Sequence, residues 1–228
     1  MADWLLVHPP LLGPAVLAPL AAALRDRGAA VTVPDLRGAV RAAAGWPQRW
    51  AEAAAAAGPA ERVLGFSGAG VVLPAVAAAV GARRVVWVDA VVPAATGETM
   101  PSAELRERVR GLVRGGRLAA WPTWWPAAEL AVQLPDRSLR DRVSAEAPEL
   151  PADFYEVPVP VPDRWPDGAA CYVQLSAAYD DDAARARARG WDVRGDGTGR
   201  HLDVATWPDR VADLVMADDG PPPSVSAD

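Results

Sequence analysis

Gly65-Phe66-Ser67-Gly68-Ala69-Gly70 follows the apolar run Val63-Leu64 and leads straight into a helix-forming stretch at 69–80. Strand, sharp glycine-lined turn and helix, in that order, hold a serine hydroxyl clear of a sheet and beside a base, which so weak a nucleophile requires. Gly65 lets the helix approach the strand, and Gly68 permits the tight return. The helix then directs its amide end and positive dipole end at Ser67. The common form of this turn is Gly-x-Ser-x-Gly; here Ala69 takes the last place and Gly70 follows it. An ordinary Gly/Ser turn can be written with the same letters, so the chemistry depends on what else the chain supplies.

The chain has two histidines, and His201 closes the loop Gly195-Asp196-Gly197-Thr198-Gly199-Arg200-His201. That loop lies between a short strand at 191–193 and a last helix at 207–216. A general base that arrives after the final strand on a glycine-rich loop can swing to the serine. Around these two residues, apolar runs at 4–7, 30–33, 62–64, 85–88, 172–175 and 191–193 read as strands. Helical stretches at 14–27, 46–57 and 69–80 each stop at a glycine, namely Gly28, Gly58 and Gly81. Strands that are apolar throughout and alternate with helices predict a parallel sheet covered on both faces. Ligands of such sheets bind at the carboxyl ends of the strands, where Ser67, Asp89 and the segment after Leu175 all fall.

Composition narrows the classes. A chain of 228 residues, 51% of them hydrophobic, can bury a full core as one domain with a subsidiary cap. The formal charge of −6, with no basic stripe interleaved with aromatics, argues against nucleic acid or an anionic membrane surface as a partner. All 23 basic residues are arginine. The single Cys171 reads as a small buried hydrophobe and suits a reducing, cytoplasmic setting. No signal peptide or membrane anchor is expected from the amino terminus, and the longest apolar stretch, 69–82, is too short to span a bilayer. Neither a metal cluster nor a Gly-x-Gly-x-x-Gly nucleotide loop is expected, and no cofactor is implied.

One region breaks the alternation. Residues 96–167 contain no convincing strand but hold helical pieces, a proline-rich run and Trp121-Pro122-Thr123-Trp124-Trp125-Pro126. So long an excursion between two strands predicts an inserted cap on a core of 1–95 and 168–217. Trp121, Trp124 and Trp125 are candidates for a hydrophobic roof over the serine, or else for the cap's own small core. Residues 218–228, with Pro221-Pro222-Pro223, are expected to be disordered.

These features together resemble the α/β-hydrolase superfamily, in particular a group of small actinobacterial hydrolase-like proteins. The likeness rests on His8-Pro9-Pro10-Leu11-Leu12-Gly13-Pro14, Val88-Asp89-Ala90-Val91-Val92-Pro93, the Trp/Pro-rich segment, Gly190-Trp191 and His201-Leu202, and it covers residues 4–216. It implies a compact sheet of about six mostly parallel strands, without the family's first two, and a helical Trp/Pro-rich cap. It also implies Ser67 as nucleophile, His201 as base and the Gly68 amide as one oxyanion donor. The acid is Asp180, after the penultimate strand, or Asp89, at the end of the strand before; Asp180 is narrowly favoured. His8, Leu11 and Phe66 are expected beside the substrate.

The loop after His8 departs from the hydrolase pattern. The second oxyanion donor of such enzymes is a backbone N–H about two residues past that histidine, and Pro9 and Pro10 have none. Leu11 is the nearest amide. Three functions therefore stay open: hydrolysis of a small ester, thioester or lactone; cyclase or lyase chemistry of specialised metabolism by Ser/His acid–base catalysis; and binding without catalysis. Each implies a small, hydrophobic or aromatic ligand.

Overall fold

The computed structural model describes residues 2–165 and 169–217. The expected disordered tail at 218–228 and the end of the expected cap lie outside the described residues. Six strands form one sheet: β1 (Ala2–Val7), β2 (Val31–Thr32), β3 (Ala60–Ser67), β4 (Arg84–Ala90), β10 (Ala170–Val173) and β11 (Asp192–Arg194). Their order is β11-β10-β4-β3-β1-β2, and every pair is parallel. Among the described residues between β4 and β10 lie five two-residue strands, β5 (Glu98–Thr99), β6 (Val113–Arg114), β7 (Arg117–Leu118), β8 (Leu150–Pro151) and β9 (Val159–Pro160).

The uniformly apolar strands resolve into two faces by parity. Leu5, Val7, Val63, Val85, Trp87 and Tyr172 point to one side, where they meet Trp50, Val76, Val80 and Ala186 from α2 (Trp46–Ala55), α3 (Leu73–Val80) and α7 (Asp180–Ala188). Leu6, Leu64, Phe66, Val86, Val88 and Val173 point to the other. There they meet Leu20 and Leu24 of α1 (Ala18–Asp26) and Val211 and Val215 of α9 (Pro208–Met216). Both faces are sealed from water, which is why neither half of the alternation could be polar. The expected long helices at 14–27 and 69–80 each begin as a 3-10 turn, Pro14–Leu17 and Gly68–Val72, before the α-helix proper. The expected last helix at 207–216 is likewise preceded by α8 (Asp203–Thr206), the turn that follows His201.

Residues 96–165 correct one expectation. Strands are present there: β5 pairs antiparallel with β9, and β6, β7 and β8 form a three-stranded ladder. Two-residue strands are too short to show a period of two, so the pattern could not reveal them. Three α-helices accompany them among the described residues: α4 (Ala103–Arg110), capped by Ser102; α5 (Ala127–Gln133); and α6 (Arg137–Glu146), capped by Asp136. The carboxylate of Glu146 accepts the Ala15 N–H at 2.7 Å, tying α6 to the chain that follows the His8 loop.

The chain leaves β1 toward β2 on one side and returns to β3 on the other. The connections therefore part at the carboxyl ends of β1 and β3, where sheets of this kind place their ligand crevice. The loop from His8 and the turn at Ser67 form its two lips.

Candidate active site

Ser67 ends β3 with φ 57° and ψ −129°. An L-residue with positive φ is strained by about 1–3 kcal/mol, and such strain persists where the surroundings over-determine it. Of the two glycines expected to permit the turn, Gly65 does so, whereas a Cβ on Gly68 would meet only Pro10 Cδ at 3.6 Å, an ordinary contact. A Cβ on Gly65 would run into the Leu73 side chain, so its absence lets α3 close onto β3, as the sequence suggested. The second close approach falls one position late. A Cβ on Gly70 would collide with the Val91 carbonyl, whereas the Ala69 methyl is fully buried without difficulty.

Among the described residues, the other non-glycine with positive φ is Asp89, at 42°. Its cause is a bulge: Phe66 pairs with Val88 and Ser67 with Ala90, which leaves Asp89 without an opposite number. An extra residue in one strand re-aims its side chain. The carboxylate turns into the interior, fully buried, where Oδ1 accepts the N–H of Leu175 (2.8 Å) and of Ser176 (3.1 Å). Oδ2 accepts the Ser176 hydroxyl and faces His201 Nδ1 at 3.0 Å. The far nitrogen, His201 Nε2, stands 3.0 Å from Ser67 Oγ.

Asp180, the narrowly favoured partner, is not in this chain of contacts. It opens α7, and its Oδ1 accepts from the Gln174 side-chain amide. The carboxylate joined to His201 is Asp89, because the bulge on β4 delivers it to the imidazole while the first turn of α7 holds Asp180 aside.

Hydrogen positions follow by elimination. A carboxylate only accepts, so the Nδ1 proton of His201 is directed at Asp89 and Nε2 is an acceptor. Ser67 then donates to Nε2. Tyr179 lies with its hydroxyl oxygen 3.2 Å from Ser67 Oγ, and with the serine proton already committed, the tyrosine is the donor of that contact. Its ring stacks on the imidazole at 4.9 Å and 16°, and Phe66 stacks on the opposite face at 4.5 Å and 26°. Phe66 thus braces His201 from below, and being fully buried it does not border the crevice as expected.

His8 is also elsewhere than expected. It is fully buried, accepts the Leu36 N–H at Nε2 (3.0 Å), and directs Nδ1 at the Pro9 carbonyl (3.1 Å). Both nitrogens are used and the ring meets Trp50 edge-on, so His8 fixes the loop and has nothing left for a ligand. Burial, only partly offset by the Pro9 hydrogen bond, lowers its pKa to about 4 and keeps it neutral. Pro10 reaches toward Gly68: a Cβ there would sit 3.6 Å from Pro10 Cδ. The Leu11 and Gly68 amides meet no backbone carbonyl among the described residues. Of the tryptophans, Trp124 packs toward one face of the sheet and donates to the Ala119 carbonyl at 2.8 Å. Trp121 and Trp125 meet each other edge-on at 5.9 Å and pack toward the opposite face. Among the described residues no cluster of His, Cys, Asp or Glu is placed to hold a metal ion, and no helix is long and apolar enough to cross a membrane.

Known structures identify this frame. A pyrethroid hydrolase from Sphingobium faniae JZ-2 aligns over 95% of this chain and 96% of its own, with 17% identity and a TM-score of 0.68. The chain has the α/β-hydrolase fold. Two further structures share this α/β-hydrolase fold over nearly their whole length. An extracellular α/β-hydrolase from a Paenibacillus species aligns with 17% identity over 95% and 98% of the two chains, TM-score 0.62. Tomato methylketone synthase I, solved with 2-tridecanone, aligns with 12% identity over 94% and 96%, TM-score 0.67. No family model and no curated protein matches the sequence.

Tyr179 and Ser176 were missed by sequence reasoning. Both lie in the segment after Leu175, at the carboxyl end of a strand, and that position was the available signal.

Proposed function

We propose that this α/β-hydrolase-fold chain is a serine hydrolase of small esters, thioesters or lactones, with Ser67 as nucleophile, His201 as general base and Asp89 as the acid. The observation that carries the reading is the unbroken contact chain Asp89 Oδ2, His201 Nδ1, His201 Nε2, Ser67 Oγ, with 3.0 Å at each link across the imidazole. Ser67 attacks the carbonyl carbon as its proton passes to Nε2, and the buried carboxylate stabilises the imidazolium so formed. The leaving group takes that proton, and a water activated by the same nitrogen hydrolyses the acyl-enzyme. The Gly68 amide faces the developing oxyanion. Residues 96–165 act as a cap, and an apolar substrate is in keeping with the 2-tridecanone held by the synthase neighbour. A fluorophosphonate probe tests the reading: labelling at Ser67 that vanishes in Ser67→Ala supports it, and unlabelled, folded protein overturns it.

A second reading has its own observation. Pro9 and Pro10 remove two amide donors from the β1 loop and leave Leu11 as the nearest, which weakens acyl transfer and leaves proton transfer intact. On that reading Ser67 and His201 serve a cyclase or lyase as acid and base. Turnover that survives Ser67→Ala but not His201→Ala would select it.

A further inference from the structure

We infer that Tyr179 is a catalytic residue: its hydroxyl donates a hydrogen bond to the substrate's carbonyl oxygen and replaces the backbone amide that Pro10 does not have. The inference rests on the hydrolase reading and deepens it.

The deficit is a matter of covalent structure. In proline the δ-carbon occupies the place of the amide hydrogen. A Cβ built on Gly68 would lie 3.6 Å from Pro10 Cδ, so the proline ring sits beside the residue that follows the nucleophile. A methylene therefore stands beside Gly68 where a residue other than proline would carry an N–H. Loss of one such donor costs about 10²–10³ in rate when nothing replaces it.

Tyr179 is the side chain placed to replace it. The His201 assignment leaves Tyr179 as donor to Ser67 Oγ across 3.2 Å. The oxygen of a carbonyl carbon bonded to Oγ is a close neighbour of Oγ itself, so with the carbonyl seated on the Tyr179 side the same hydroxyl turns its proton from Oγ to that oxygen. Once Oγ is acylated it is a poor acceptor, and the developing oxyanion competes successfully for the donor. Stacking on His201 holds the ring, so little order must be created at the moment of reaction. Burial is the main cause that keeps the hydroxyl protonated, well above the ordinary tyrosine range, with Asp89 and Asp182 adding to it against the Ser67 contact.

In the step itself the Ser67 proton moves to His201 Nε2 and Oγ bonds to carbon. The carbonyl π pair moves to oxygen, and Tyr179 holds that oxygen by a hydrogen bond while keeping its own proton. Collapse of the intermediate returns the pair and expels the leaving group, which takes the proton from Nε2.

The test uses the full chain and a series of aryl esters with leaving groups of graded basicity. Tyr179→Phe keeps the stack and removes the donor. We expect kcat/KM to fall about 10²-fold by way of kcat, equally across the series, with the acid limb of the pH profile unmoved. Pro10→Ala, added to Tyr179→Phe, restores an amide and should recover at least about tenfold. Wild-type rates in Tyr179→Phe would overturn the inference. So would a loss that grows with leaving-group basicity, which would place the hydroxyl on the leaving group. A shifted acid limb that Pro10→Ala does not correct would reduce Tyr179 to a positioning residue for His201. If the wild-type chain is neither labelled nor active, the hydrolase reading falls first and this inference with it; labelling intact in wild type with Tyr179→Phe unaffected removes only the inference.

Discussion

The two lips of the crevice are built on opposite principles. On the β3–β4 side the side chains of the relay are matched: Asp89 accepts from two amides, a hydroxyl and an imidazole, and His201 is fixed at both nitrogens and on both faces. On the β1 side the loop is just as firmly held, with His8 clasped between Leu36 and Pro9, yet what it holds is a pair of prolines with no proton to give. Rigidity and chemical competence are thus separable. A loop can be fully anchored and still lack the group that catalysis wants, because the contacts that hold it in place need not leave a donor facing the reacting carbonyl.

The comparison breaks most visibly at the relay. His201→Ala should lower turnover of an activated ester roughly 10⁶-fold, since the members of such a unit fail together. Retention of even a hundredth of the activity would mean that the matched side is scaffolding. Next in size, Asp89→Asn should cost about 10⁴ by presenting the wrong group to Nδ1. Asp180→Asn should leave the rate within a small factor, because Asp180 serves Gln174. Equal losses in the two variants, measured as kcat/KM on the same ester, would undo the assignment of Asp89.

Much of this architecture was legible in the chain. The strand runs and the elbow at Ser67 announce themselves because a sheet buried on both faces needs uninterrupted apolar runs, and a turn of that sharpness needs glycine. His201 was legible from its glycine-rich loop after the last strand. Asp89 was weighed and placed second, since nothing in Val88-Asp89-Ala90 marks a bulge; its register depends on how β3 lies against β4, a tertiary fact. His8 was misread as bordering the substrate because a histidine after the first strand carries no sign of which way it faces. The ring contacts of Tyr179 also depend on packing between distant segments, which no local pattern encodes.

The anchoring of the β1 lip can be titrated. His8 has its pKa lowered from 6.5 to about 4, with burial the largest cause; Asp35 and the Pro9 contact oppose that shift and Arg37 adds to it. A histidine whose folded value lies below its unfolded one binds fewer protons when folded, so stability is full above about pH 6.5 and is lost as pH falls toward 4. The loss from this residue should approach about 3 kcal/mol. Denaturant unfolding at pH 7 and pH 4 should show it in the natural chain, and His8→Gln should be less stable at pH 7 but flatter with pH. An equal slope in both would place the acid sensitivity elsewhere and remove His8 as the clasp.

The smallest effect sharpens the comparison most. Pro10→Ala alone supplies the missing N–H to a loop whose clasp, His8, is untouched. If residue 10 faces the oxyanion, the aryl-ester rate should rise, but by only about tenfold, because a site that already has another donor gains less than the ~10²–10³ a sole donor is worth. The same change loosens the unfolded chain and should lower stability by about 0.4–1 kcal/mol. Activity and stability would then move in opposite directions from a single ring opened. A fall in stability with no gain in rate would show that the proline is there for the loop alone, and that the β1 lip is not a weakened oxyanion site but a wall.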